Sequence, residues 1–295
     1  YYFRFDIRDK ELHRLGVVVL PVLIGTAVRQ LNTLIDRALA SNLGMGNISA
    51  INYSNILIEF VFGIFIVAIS SVVYPMFSQL SVTKNYDELN AMVIRAIRVI
   101  LILVLPITVV MIVLREEIVK LVFQRGAFDV QATSMTSYAL GFYSLGMAAY
   151  GIREVLYRVF YSLKDTKTPM LNGILVVGMN IGFNFLLVGP LGVGGLGLAT
   201  SVSAIVGDIL LFIKLKAKIR PFVLEGTGIE LMKIFGPIAG MTCVTGLIHR
   251  WVHLTDILAH LCICVFVGLA SYISFMYVLK VKELKWMLDE LRNFV

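Results

Sequence analysis

The sequence is poor in charge, cysteine and tryptophan. Only 15% of its 295 residues are charged, and it contains three cysteines and two tryptophans, whereas 58% of the residues are hydrophobic. Soluble domains carry about 25% charged residues and could not bury so much apolar surface. The shortage of charge therefore excludes an ordinary water-soluble fold and indicates a protein that lies in lipid.

The few cysteines and histidines give no clear metal centre. His249 and His253 are one helical turn apart beside Trp251, but without a third ligand an interfacial role is favoured over a zinc site. No organic cofactor is predicted. The cysteines lie in apolar segments and are expected to be packing thiols: Cys243, Cys262 and Cys264.

Long apolar runs dominate what remains. Backbone groups in hydrocarbon must be paired within a helix or a closed barrel, and a barrel would show short alternating strands instead. An all-α integral membrane protein is therefore predicted. Windows of about 20 apolar residues predict about eight transmembrane helices, at 16–40, 53–80, 91–114, 136–163, 170–188, 194–215, 231–252 and 254–279.

Lys and Arg are concentrated in alternate loops, and this distribution predicts the orientation of the bundle in the membrane. Positive residues are retained in the cytoplasm, so both ends of the chain are expected there. The net charge of +7 is then a topological signal, and no nucleic-acid partner is predicted. The opposite loops carry only Arg115, Lys120, Arg125 and Arg250.

The two ends of the chain differ from the bundle. Residues 1–14 form a mixed-charge cytoplasmic lead-in, and the start at Tyr1, without Met or signal peptide, suggests that an earlier part of a longer protein is missing. Residues 281–295 alternate apolar and charged side chains and predict an amphipathic helix on the cytoplasmic membrane surface.

A few charged side chains fall within the predicted spans, where facing lipid is costly. Asp208 and Arg37 lie nearer span ends and are expected to reach toward water. Thr26, Arg29, Thr33 and Asp36 share one helical face, and Glu59 lies in the second span. Two interpretations stay open: an internal ion pair of Arg29 and Asp36 that locks helices together, or a polar stripe that lines a hydrated cavity.

A second polar group lies on the fifth and sixth spans. Asn180 and Asn184 are spaced i and i+4, and a very short turn makes the helix with Thr200 their antiparallel neighbour. Asp36 is also available within the bundle, although no spacing along the chain places it beside them; together with it and a backbone carbonyl near Leu196 they would form an all-oxygen set suited to sodium, or to a proton on Asp36. The alternative is that the amides and hydroxyl merely hydrogen-bond one helix to another.

Several segments are similar to the MurJ (MviN) lipid II flippases of the multidrug/oligosaccharidyl-lipid/polysaccharide exporter superfamily. The most specific are the FYSLKDTKTP and RGAFD motifs. The resembling stretches are LIDRALASNLGMGNISAINYSN (34–55), GIFIVAISSVVYPMFSQLS (63–81), LVFQRGAFD (121–129), VFYSLKDTKTPM (159–170) and GPLGVGGLGLATSVSA (189–204).

The resemblance implies a fourteen-helix fold of two six-helix lobes plus two helices. This chain resembles the second lobe (15–218) and the final pair (229–280), so the first lobe is an expected partner, together with membrane lipids. The implied activity is alternating-access transfer of undecaprenyl-pyrophosphate-linked disaccharide pentapeptide, lipid II, across the bacterial cytoplasmic membrane. The family's cation site maps onto Asp36, Asn180, Asn184 and Thr200.

One departure from the family affects the predicted substrate cavity, which is formed by Arg29, Thr33, Arg37 and Glu59. Where many relatives have an Arg that faces the cavity and the pyrophosphate, this chain has Ile56. Either Arg29 or Arg37 supplies that charge, or the absent lobe does.

Other functions fit the sequence less well. A lipid-linked sugar transferase needs paired acids or a metal-bearing loop at the membrane surface, and the loop acids here are scattered over both sides. A static scaffold would not need buried polar side chains. The close alternative is a related exporter of another lipid-linked oligosaccharide.

Overall fold

The computed structural model describes residues 10–219, 227–252 and 256–280, and all of its regular structure is helical. One five-residue π-helical segment, Phe62–Ile66, joins α2 to α3. The α-helices are α1 (Lys10–Ser41), α2 (Asn47–Val61), α3 (Val67–Val82), α4 (Tyr86–Val113), α5 (Arg115–Phe123), α6 (Val130–Ser144), α7 (Met147–Ser162), α8 (Lys167–Leu191), α9 (Val193–Lys218), α10 (Thr227–Trp251) and α11 (Ile257–Val278).

The predicted all-α membrane architecture is confirmed. Five helical stretches of the described chain are long and apolar enough to cross a membrane: Asn47–Val82, Tyr86–Val113, Lys167–Leu191, Val193–Lys218 and Ile257–Val278. The remaining predicted spans fall on α1, on α10 and on the pair α6 and α7. The predicted tail at 281–295 and most of the lead-in lie outside the described residues.

The fourth predicted span is two helices rather than one. α6 and α7 have 15 and 16 residues and are separated at Leu145 and Gly146. Both residues keep right-handed helical dihedral angles, so the chain changes course only slightly. A Cβ at Gly146 would lie 2.8 Å from Ser201 Oγ, so the glycine lets this break pack closely against α9.

Helix α8 shows how the fold is adapted to lipid. Its buried positions Asn172, Val176, Asn180 and Asn184 recur every four residues, and three of them are amides. Its outer face is apolar, with Phe185 and Leu186 about 70% exposed. A helix that is polar inside and apolar outside is stable only where the surroundings are hydrocarbon.

A one-residue turn brings α8 and α9 together. Gly192 between them has a positive φ of 53°, which a glycine adopts readily. A side chain at Gly195 would collide with the backbone carbonyl of Leu187. Gly192 therefore forms the very short turn that the sequence predicts, and Gly195 allows α8 and α9 to pack closely together.

Asp165 explains part of the FYSLKDTKTP motif. Its carboxylate accepts hydrogen bonds from the Thr168 backbone N–H at 3.0 Å and the Thr168 hydroxyl at 2.7 Å, at the start of α8. Lys218, at the end of α9, donates to the same carboxylate. The motif thus ties the start of α8 to the end of α9.

Asp165→Ala is expected to lower the free energy of unfolding by about 1–2 kcal/mol, because it removes a helix cap and an ion pair. Burial alone would raise the pKa of Asp165, but the bonds from Lys218 and Thr168 outweigh it and hold the pKa below its ordinary 3.8. A lowered carboxyl pKa means that the stabilisation is present at neutral pH. It is lost as the pH falls through that pKa.

The measurement is denaturant unfolding of both proteins at neutral pH and at successively lower pH. The difference should shrink in acid, below the ordinary carboxyl range. Asp129→Ala is the matched control, since Asp129 caps α6 through the Ala132 N–H at 2.8 Å. It should cost about 1 kcal/mol. A pH-independent difference for Asp165→Ala would contradict the ion-pair interpretation.

Candidate functional site

A polar cavity of about 550 Å³ lies between α1, α2, α6, α7, α8 and α9. It contains most of the residues that the sequence singled out, although they come from helices far apart in the chain. The predicted residues that line it are Thr33, Asp36, Arg37, Glu59, Asn180 and Thr200. The side chain of Arg29 lies outside the described residues.

The four predicted cation ligands form one chain of hydrogen bonds. The Asn184 amide donates to Asp36 Oδ1 at 2.7 Å and to Asn180 Oδ1 at 2.9 Å. The Asn180 amide donates to Thr200 Oγ1 at 3.0 Å, and the Thr200 hydroxyl donates to the Leu196 carbonyl at 2.9 Å. The structure therefore joins α1, α8 and α9 through these residues.

One oxygen of this cluster has no partner. Both N–H groups of Asn184 are used, but its Oδ1 is buried and makes no hydrogen bond within the described residues. An unsatisfied buried acceptor is rare and costs roughly 1–3 kcal/mol. With the carboxylate, the Asn180 oxygen, the Thr200 hydroxyl and the Leu196 carbonyl, it gives the donor set that a hard cation such as sodium prefers.

Asp36 is the charged centre of the cluster. Only 7% of the residue is exposed, and among the described side chains its partners are neutral: Asn184, and Asn32 Nδ2 at 3.3 Å. Burial of a carboxylate is costly unless an opposite charge or a proton compensates it. The position therefore suits a bound cation or a protonated acid.

Arg37 and Glu59 lie at the same cavity but remain more exposed than the cluster. Arg37 Nη2 donates to Asn52 Oδ1 at 3.3 Å, so its guanidinium is held between α1 and α2. Ile56 is 51% exposed and lies outside the cavity lining. Of the two arginines that the sequence offered in place of the missing cation, Arg37 lines the cavity.

The sequence interpretation of Asp208 was wrong. Asp208 does not reach toward water, since its side chain is only 8% exposed and its Oδ1 accepts from Arg153 Nε at 3.1 Å. Arg153 lies within α7 and lines the cavity. An ion pair 55 residues apart leaves no local signal in the sequence.

Aromatic hydroxyls beside the cluster were also missed. Tyr143, Tyr150 and Tyr157 line the cavity, and with Arg153 and Glu154 they follow one face through α6 and α7. The three tyrosines are spaced seven residues apart, which is two helical turns, so the sequence did contain a signal that they share one helical face.

A bundle of broken helices that are polar inside and apolar outside, around a polar cavity with a buried carboxylate, indicates a membrane transporter. The chain belongs to the family described as "Lipid II flippase MurJ", whose family model matches residues 2–266. Because members of this family are flippases, the prediction of a transporter rather than an enzyme is confirmed.

Individual relatives agree with the family match. The chain is 34% identical over 205 residues to the probable lipid II flippase MurJ of Vibrio cholerae, covering 70% of this chain and 39% of that protein. It is 32% identical over 211 residues to the one from Haemophilus influenzae, covering 70% and 41%. The chain thus spans about two fifths of the length of these curated relatives.

Solved structures support the same fold. One described as "Lipid II flippase MurJ, inward closed conformation" matches with a TM-score of 0.74 and 26% identity, covering 94% of this chain and 56% of that one. One described as the outward-facing conformation of a multidrug resistance MATE family transporter of the MOP superfamily matches with a TM-score of 0.56 at 18% identity, covering 90% of this chain and 65% of that one. The second likeness shows the fold alone.

Proposed function

We propose that this chain acts as the second lobe and final helix pair of a lipid II flippase. The full protein would move undecaprenyl-pyrophosphate-linked disaccharide pentapeptide across the bacterial cytoplasmic membrane. The family membership supports this substrate, and the absent first lobe would close the cavity on its other side. Both ends of the chain are proposed to lie in the cytoplasm, following the distribution of Lys and Arg.

The buried Asp36 carboxylate is the observation that carries the mechanism. Through hydrogen bonds from neutral amides, the carboxylate connects α1 to α8 and α9. A cation or a proton that neutralises its negative charge would therefore change how strongly these helices are held together. Binding that favours one packing of α1 against α8 would shift the population of inward and outward states. Sodium is the favoured coupling ion because the Asn184 oxygen, which makes no hydrogen bond within the described residues, adds to an all-oxygen set.

The cavity also supplies groups for an anionic head group. Arg37 is partly exposed there and is held by a neutral amide, so its guanidinium can form bidentate bonds to a phosphate. Arg153 lies in the same wall but is engaged by Asp208. We therefore propose Arg37 as the pyrophosphate contact that this lobe contributes, with Thr33 and Glu59 on the surrounding wall.

The transport function is tested by replacement in a bacterium depleted of its own lipid II flippase. The full-length protein that carries this chain should restore growth and the exposure of lipid II on the outer leaflet, measured by labelling of the head group in intact cells. Normal protein levels without restored exposure would reject lipid II as substrate. Such a failure would favour the related exporter of another lipid-linked oligosaccharide.

A further inference from the structure

Three candidate metal ligands meet far from the Asp36 cavity, where α10 ends and α11 begins. Glu117 lies on α5, His249 in the last turn of α10 and His260 near the start of α11. One ligand atom from each residue lies within 4.8 Å of the other two. The three side chains line a cavity of about 810 Å³ at this end of the bundle.

The distances suit a single small metal ion. His249 Nδ1 and His260 Nε2 are 3.2 Å apart. Two nitrogens that bind zinc at 2.0–2.1 Å with tetrahedral angles are separated by about 3.3 Å. Glu117 Oε1 is 3.7 Å from His249 Nε2, the ring nitrogen that does not face His260, so the carboxylate approaches the pair from the other edge of the His249 ring. Cys264 Sγ is 3.6 Å from His260 Nε2, about the spacing of a zinc-bound thiolate and imidazole.

The hydrogen bonds within the cluster leave it incomplete. Glu117 Oε2 and His260 Nδ1 are buried without a partner among the described residues, and His260 is only 7% exposed. Two imidazoles at 3.2 Å cannot both carry a proton on the facing nitrogens, so at least one presents a lone pair. A neutral imidazole and a carboxylate are the forms in which these residues bind metals.

We propose that Glu117, His249 and His260 form a divalent transition-metal site, with zinc the best match to two imidazoles and a carboxylate. Water or the Cys264 thiol completes the coordination. The ion ties α5 of the six-helix lobe to the final pair α10 and α11. A metal site here departs from the sequence interpretation, which favoured packing for Cys264 and an interfacial role for His249 over metal binding.

Zinc chloride titration by calorimetry tests this site on the full-length protein, purified in detergent without a polyhistidine tag and stripped with a chelator. One zinc should bind per chain. Glu117→Gln, His249→Asn and His260→Asn should each weaken binding at least about tenfold, since even residues behind the ligands matter by 10–100-fold. Glu116→Gln is the matched control: it removes the neighbouring charge on α5 and should leave the affinity unchanged.

Cobalt supplies a readout that needs no variant. Bound at this site, it should give the intense visible absorption of a tetrahedral centre, which zinc then displaces. In the presence of chelator the variants should have the same melting temperature as wild type. Weaker zinc binding by a variant then reflects the loss of a ligand and not a loss of folded protein. The absence of a displaceable cobalt spectrum in wild type would overturn the proposal. So would zinc binding by correctly folded Glu117→Gln or His260→Asn at the wild-type affinity.

Discussion

Asp36→Asn in the full-length protein is expected to abolish the rescue of a flippase-depleted strain. The substitution keeps the shape of the side chain and can still accept from the Asn184 amide, but it removes the charge that the proposed cation site requires. Without that charge, a coupling ion would no longer bind more tightly to one packing of α1 against α8 than to another, so it could not shift the population of the two states. The expected result is loss of growth at normal protein levels, measured by viable counts after depletion.

The control is a carboxylate that is exposed at the start of α4. Asp87→Asn removes an equal charge from a solvent-facing position outside the cavity and should leave rescue intact. A strain that grows normally with Asp36→Asn would show that the buried charge has no part in transport.

Asp208→Asn is expected to be the most destabilising substitution in the cavity wall. It leaves the Arg153 guanidinium, 20% exposed at its side chain, with no counterion. Breaking a buried pair on one side costs about 3–5 kcal/mol, and contact of Arg153 with the cavity lowers the expected loss to about 2–4 kcal/mol. The free energy of unfolding in detergent, measured with a chemical denaturant, reports this loss.

Two further variants separate the pair from its surroundings. Arg153→Met combined with Asp208→Leu removes both charges and should recover most of the stability, because well-packed apolar residues can replace a buried ion pair. Glu154→Gln removes the half-exposed i,i+4 partner of Arg158 and should cost under about 0.5 kcal/mol. A double variant no more stable than Asp208→Asn would contradict the ion-pair interpretation.

The elements of this fold could be predicted because each is a local signal. Apolar runs placed the spans, and the i,i+4 spacing of Asn180 and Asn184 put both amides on one face of α8. The short turn at Gly192 placed Thr200 beside them. Hydropathy could not show that α6 and α7 separate at Gly146, since residues 139–152 around that break carry no charge.

Contacts across the bundle were harder to predict. Asp36 and Asn184 are 148 residues apart, and only the family resemblance brought them together before the structure did. The Arg153 and Asp208 pair was missed because Asp208 was expected to reach toward water and its partner lies 55 residues away along the chain. The meeting of Glu117 with His249 and His260 depends on how α5 packs against the last two helices, for which no spacing along the chain gives a signal.

Sodium-dependent stability tests the central claim most directly. The melting temperature of the full-length protein in detergent should rise with sodium chloride but not with choline chloride at equal ionic strength. A ligand that binds only the folded state stabilises it by about 2.7 kcal/mol at 100 times its dissociation constant. The rise should be absent in Asp36→Asn and retained in Asp87→Asn. An equal response of wild type and Asp36→Asn would contradict a sodium site at this cluster.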